Sequence, residues 1–249
     1  TRDYPKAGNN LGLSSSLVVV GDVVVAMSEN ESDSFTAGLD AATGVNRWKM
    51  NRPKEANWTS PIVIPAAGGG NLVVLQSDKG VTAIDPATGK IAWEALSKAD
   101  TIPSPTLVGD IMYVPGDGIT ALKLNATNSP VQLWKVSQLA TGTASPLALG
   151  DRLFIVNRAS VLTCADAADG KRLCQLRLQG PFSATPVAAG NTLFCVSEKG
   201  VLQAVDTTKP EGEIVSTLDL KETILATPAI ANGALYLRSD ATLWKLKSS

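Results

Sequence analysis

The chain contains no histidine among its 249 residues. Histidine is the usual general base and a common transition-metal ligand near neutral pH. A Ser-His-Asp triad and a His-ligated zinc site are therefore excluded within this chain. Charge is sparse and balanced: Asp, Glu, Lys and Arg make up 18% of residues, and the formal net charge is −1. No basic patch stands out, which argues against a nucleic-acid partner. Aromatic residues are only 5%, so few rings remain for stacking on a sugar. No apolar run reaches the ~18–20 residues that span a bilayer as a helix. The longest, residues 17–20 and 23–27, is split by Gly21-Asp22 and reads as a hairpin. The opening Thr1-Arg2-Asp3-Tyr4-Pro5 has neither the basic start nor the apolar stretch of a secretory signal and reads as the start of a chain that is processed, trimmed or a fragment.

Cysteine is also scarce: Cys164, Cys174 and Cys195. An odd number makes no complete disulfide framework. Cys164 and Cys174 flank the turn 166–170 and can face each other across a hairpin. They can pair there, or sit as small buried hydrophobes; the spacing leaves both readings open.

What the chain does have is a repeat. A Ser/Thr-Pro pair recurs at Ser60-Pro61, Ser104-Pro105, Ser145-Pro146, Thr185-Pro186 and Thr227-Pro228, with proline intervals of 44, 41, 40 and 42 residues. Each pair opens a short apolar run, a Gly/Asn/Asp turn and further apolar runs. Four short strands in about 40–45 residues is the pattern of one β-propeller blade. The expected fold is all-β, a propeller of four-stranded blades. Six repeats are visible, expected to be part of a seven- or eight-bladed ring. The expected divisions are an irregular segment 1–13 and blades at about 14–57, 58–102, 103–143, 144–183, 184–225 and an incomplete 226–249. Tight first turns are expected at Gly21-Asp22, Gly70-Asn71, Gly109-Asp110, Gly150-Asp151, Gly190-Asn191 and Asn232-Gly233, because these residues accept positive φ. The small apolar strands that open each blade, such as Pro146-Leu147-Ala148-Leu149, are expected to line the ring as a packed surface.

Blade two carries Ala83-Ile84-Asp85-Pro86-Ala87-Thr88-Gly89-Lys90-Ile91-Ala92-Trp93. This resembles the tryptophan-docking motif of pyrroloquinoline-quinone-type (PQQ-like) propeller repeats at every defined position. Blade one keeps Asp40, Thr43, Gly44 and Trp48, with Gly38 and Val45 departing; blade four keeps Asp166, Gly170 and Lys171, with Cys174 in the tryptophan place. Blade three keeps Trp134 after a longer turn, and blade five only Ala204 and Asp206. The Asp caps backbone donors of the turn and the Gly supplies a left-handed conformation. The Trp packs on the adjacent blade. Asp40, Gly44, Trp48, Asp85, Gly89, Trp93, Trp134, Asp166 and Gly170 are thus expected to be blade fasteners rather than catalytic groups. Around these motifs, the phrases Asp33-Ser34-Phe35, Trp58-Thr59-Ser60-Pro61 and Phe182-Ser183-Ala184-Thr185-Pro186 resemble planctomycete-type BamB-like proteins. That resemblance implies an extracytoplasmic, non-catalytic propeller and names no partner.

No residue is assigned to catalysis, cofactor binding or metal binding, and no cofactor is expected. The acidic run 28–34 matches no defined calcium spacing and is expected to be a solvated loop. The glycine run 68–70 lacks the Lys-Ser/Thr and helix of a phosphate cradle and reads as a hairpin loop. Tyr4 and Trp58 are the aromatics left without a structural place, Trp58 being expected in the core. The expected role is a non-catalytic protein-interaction scaffold in the periplasm or cell envelope. It would serve outer-membrane protein assembly or a larger complex, with a protein partner, no nucleic acid and no membrane span. The alternative is a ligand- or carbohydrate-sensing module. A fragment of a PQQ-dependent dehydrogenase shares the repeat and ranks third.

Overall fold

The computed structural model describes residues 12–66, 69–125 and 129–247. The chain forms two compact units, Thr1–Leu133 and Trp134–Ser249. Short runs rich in Val, Leu, Ile and Thr favour strands, and Gly/Asn/Asp pairs between them favour tight reversals. The result is a series of antiparallel sheets in which consecutive strands are neighbours.

The first unit opens with β1 (Val18–Val20), β2 (Val23–Ser28), β3 (Phe35–Asp40) and β4 (Asn46–Asn51), paired in that order. The next sheet is β5 (Ile62–Pro65), β6 (Asn71–Ser77), β7 (Gly80–Ile84) and β8 (Ile91–Ala95). The third is β9 (Thr106–Val108), β10 (Ile111–Gly116), β11 (Gly118–Lys123) and β12 (Val131–Val136), and the division between units falls within β12. The second unit continues with β13 (Leu147–Leu149), β14 (Arg152–Val156), β15 (Val161–Asp166) and β16 (Arg172–Arg177). It then forms β17 (Val187–Ala189), β18 (Thr192–Val196), β19 (Val201–Asp206) and β20 (Glu213–Asp219). Its last sheet has three strands, β21 (Ala229–Ala231), β22 (Ala234–Arg238) and β23 (Leu243–Lys247). The expected irregular segment 1–13 lies almost wholly outside the described residues, as does Tyr4.

The first turns have the expected backbone. Gly21, Gly109, Gly150 and Gly190 lie at φ 56–61°, each opening a two-residue connection between paired strand ends. The second sheet differs: Pro65 pairs with Asn71, so its connection runs through 66–70. A register shift follows Gly38, Ala83, Cys164 and Ala204, the same position in four sheets. Such a bulge increases local twist and redirects the chain, here into the Asp turn.

Within each unit the middle strands are buried because successive sheets share their cores. Val25 and Met27 pack with Val73, Leu75 and Ile84, and Val74 and Val81 with Met112 and Leu122. In the second unit Phe154 and Leu162 pack with Leu193 and Val205, and Val196 and Leu202 with Leu235 and Leu237. The opening strands depart from the packed lining expected of them. Ile64 and the opening prolines Pro61, Pro105, Pro146, Pro186 and Pro228 are buried, but the other residues are half-buried or exposed, with Val19 at 62% and Ile230 at 40% exposure. Most of these strands are only three residues long and lie at a sheet edge, so their small side chains reach few opposing groups. Among the described residues no helix is long and apolar enough to cross a membrane.

Candidate functional site

The Asp of each docking turn is spent on the turn itself. Asp40 Oδ1 accepts from Ala42 N at 3.1 Å, Thr43 N at 2.9 Å and Thr43 Oγ1 at 2.9 Å. Asp85 Oδ1 accepts from Ala87 N and Thr88 N at 2.8 and 3.0 Å. Asp166 Oδ1 accepts from Ala168 N at 2.7 Å, and Asp206 Oδ1 from Thr208 N at 2.8 Å. Gly44, Gly89 and Gly170 close these turns at φ 71–73°, each N–H donating to the Asp carbonyl. Arg47 bridges Asp22 and Asp40 at 2.5 Å each. The Arg47 guanidinium, followed by the Thr43 donors, holds the Asp40 carboxyl well below the ordinary aspartate range.

Two of the three docking tryptophans hydrogen-bond to the following sheet within their own unit. Trp48 Nε1 donates to Pro86 O at 2.8 Å. Its ring lies so close to Gly89 that a Cβ there would sit 2.7 Å from ring atoms. Trp134 Nε1 donates to Ala167 O at 3.2 Å, and a Cβ on Gly170 would sit 2.9 Å from its ring. The glycine therefore does two jobs, accepting positive φ and leaving room for the ring. Trp48 also lies across Gly38, where a Cβ would come within 2.3 Å; this explains why blade one has glycine where the motif has alanine. Trp93 packs half-buried against the core of Ile64, Val74 and Met112.

A second set of fasteners was present in the sequence only as a marker. In four of the five Ser/Thr-Pro pairs the hydroxyl accepts the backbone N–H of the equivalent residue one repeat earlier. Ser60 Oγ accepts from Ser16 N at 2.9 Å, and Ser104 Oγ from Ser60 N at 2.8 Å. In the second unit Thr185 Oγ1 accepts from Ser145 N at 3.0 Å, and Thr227 Oγ1 from Thr185 N at 3.1 Å. The signal that finds them is chemical: the residue before each repeat-opening proline carries a hydroxyl.

The acidic run 28–34 corrects the expectation of a solvated loop. Glu29 and Asn30 are buried, while Glu31, Ser32 and Asp33 are exposed. Glu29 Oε1 accepts from Arg52 Nε at 2.5 Å and Oε2 from Asn57 Nδ2 at 2.7 Å. Asn57 Nδ2 also donates to Gln76 O at 2.6 Å, and Arg52 Nη1 to Thr82 Oγ1 at 3.3 Å. Burial nevertheless raises the Glu29 carboxyl above its ordinary value, against the pull of Arg52 and Asn57. This cluster ties the ends of the first and second sheets together, as a buried pair that is costly to break from one side. Asn30 holds the exposed tip, accepting from Ser32 N and donating to Asp33 O, both at 2.8 Å.

Trp58 is half-buried, its Nε1 donating to Gly12 O at 3.1 Å and its backbone N to Thr101 O at 2.7 Å. The glycine run is described only at Gly69 and Gly70, which take φ of 101° and 83°. Among the described residues no three Cys, Asp or Glu side chains converge as a metal cluster would. The second unit contains an apolar cavity of about 400 Å³ lined by Ala189, Phe194, Leu202, Ile230, Leu235 and Leu246. Nearby, β23 is the end strand of its sheet, with Leu243 71% exposed.

The sequence matches the family model described as outer membrane protein assembly factor BamB, over residues 32–138 and 124–211. No curated protein sequence matches it. Among solved structures, that of BamB from Moraxella catarrhalis is similar, with TM-score 0.73 and 19% identity, covering 94% of this chain and 70% of that one. At this identity the likeness shows the fold, a β-propeller built of PQQ-like repeats.

Proposed function

We propose that this chain is a non-catalytic protein-interaction scaffold; it belongs to the family of outer membrane protein assembly factor BamB. The family match across most of the chain is the observation that carries this reading. Within each unit, tryptophan rings, hydroxyl staples and shared cores hold successive sheets together, so the loops between strands keep fixed positions. Loops held in this way lose less conformational entropy when a partner binds. The motif aspartates already accept turn N–H groups, which gives them a structural task. The expected setting is the periplasm or cell envelope, in outer-membrane protein assembly or as a subunit of a larger complex. The partner is a protein.

The PQQ-dependent dehydrogenase reading shares the repeat and provides the test. Purified protein is supplied with PQQ, Ca²⁺ and an artificial electron acceptor, then offered a panel of alcohols and aldoses. The scaffold reading predicts acceptor reduction no faster than in a protein-free control. Turnover that saturates with added quinone would overturn it.

A further inference from the structure

Blade four carries a pair of thiols at the docking position. In the sheets of β4 and β8, the residues opposite Gly38 and Ala83 are Trp48 and Trp93. In the fourth sheet the corresponding partners are Cys164 and Cys174. Directly opposed residues in an antiparallel pair have Cα atoms about 4.5–5.5 Å apart, within the roughly 4.4–6.8 Å that a disulfide spans. Opposed side chains also emerge on the same face. All three cysteines are thiols in this structure, Cys164 and Cys195 buried and Cys174 half-buried. Cys164 and Cys174 are in contact, whereas burial alone acts on Cys195.

We propose that Cys164 and Cys174 are a redox pair that closes into a cross-strand disulfide between β15 and β16 by exchange with a small-molecule or protein disulfide. Cys174, the more accessible sulfur, loses its proton and attacks one sulfur of the donor. The donor S–S bond breaks, one donor thiol leaves with that proton, and Cys174 holds a mixed disulfide. Cys164 then loses its proton and attacks Cys174 Sγ; the mixed bond breaks and the second donor thiol leaves protonated. Two protein thiols are oxidised to one disulfide and one donor disulfide is reduced to two thiols. Burial, and then the adjacent Cys174, push the Cys164 thiol up to about 12, so the first attack falls to the more accessible Cys174. The bond would tie the fourth strand to the third in a sheet that lacks a docking ring. The inference stands independently of any partner.

The test is thiol counting on the folded chain. The protein is incubated with oxidised glutathione, quenched in acid, denatured, alkylated and mapped by peptide mass spectrometry. The expected result is a fall from three alkylated cysteines to one, at Cys195, with peptides carrying Cys164 and Cys174 joined. Cys164→Ala is expected to leave a persistent glutathione adduct on Cys174, because the resolving sulfur is gone. Three alkylated cysteines, an unresolved adduct in the unsubstituted protein, or a bond to Cys195 would each overturn the proposal. A Cys164→Ala/Cys174→Ala variant with the circular dichroism spectrum of the unsubstituted chain shows that the pair is not needed for folding. If that variant fails to fold, the count on the unsubstituted protein decides alone.

Discussion

On β4, Trp48 lies across Gly38 of its own sheet, over Gly89 of the next, and donates from Nε1 to Pro86 O. On β16 the same register position holds Cys174, facing Cys164 of its own sheet. The tryptophan reaches across two sheets; the thiol faces its neighbour within one sheet. Beyond Cys174, the fourth and fifth sheets are joined by aliphatic packing of Leu176 and Ile214 on the shared core and by the Ser145–Thr185 hydroxyl staple. The contrast shows that a propeller repeat can lose its docking ring when neighbouring apolar groups and a short polar contact remain. What it loses is the part of the fastening that reaches furthest.

The largest expected effect comes from removing the ring itself. Trp48→Ala should cost about 2–4 kcal/mol, measured by urea unfolding. In reduced protein Cys174→Ala should cost only about 1 kcal/mol. Equal losses at the two positions would break the comparison. Oxidation should widen the role of Cys174: a disulfide closing so short a loop adds about 2–3 kcal/mol, removed by dithiothreitol and missing from Cys174→Ala.

Gly89→Ala sharpens the account of the ring. It combines positive φ with a clash against Trp48, and about 2–3 kcal/mol is expected. Gly150→Ala has the same sign of φ (61°) and nothing within 4 Å of an added Cβ, so about 1 kcal/mol is expected. In a Trp48→Ala background the cost of Gly89→Ala should shrink toward that of Gly150→Ala, as a double-mutant cycle would measure. Additive costs would show that the ring does not set the need for glycine.

The hydroxyl staples occur in both regions and should be weaker. Ser60→Ala and Thr185→Ala should each cost about 1 kcal/mol, with little difference between units. The smallest effect concerns pH. Asp40 has a folded pKa below the ordinary value of 3.8, chiefly through Arg47. Its contribution is therefore present above that value and lost as pH falls toward the folded pKa. Asp40→Asn should flatten the fall of the thermal midpoint below about pH 4. An unchanged acid limb would remove Asp40 from the account. Asp22, also lowered by Arg47, keeps its own share in that variant.

Much of the fold was legible because its signals are local. The glycines of the first turns and the Asp-to-Gly docking turns act within a few residues, and the repeat multiplies each signal. The hydroxyl staples were visible as letters but not as contacts, since Ser60 and Ser16 are 44 residues apart. Glu29 looked solvated because its sequence neighbours are polar. Its burial comes from Asn57 and Gln76, which arrive with the second sheet. The opening strands misled in the opposite direction: their apolar letters suggested packing throughout, while their edge position leaves most of them, Ile64 and the opening prolines apart, half-buried or exposed. Spacing brought Cys164 and Cys174 to one hairpin, but only the register placed them opposite each other.

The most direct test of the scaffold reading is cross-linking of the native protein in the envelope of its source cells, followed by purification and mass spectrometry of the intact complex. The account predicts a stoichiometric polypeptide partner, cross-linked to loop residues of this chain, with no bound quinone. A protein recovered without a partner, but carrying a quinone and turning over an alcohol or sugar, would contradict it.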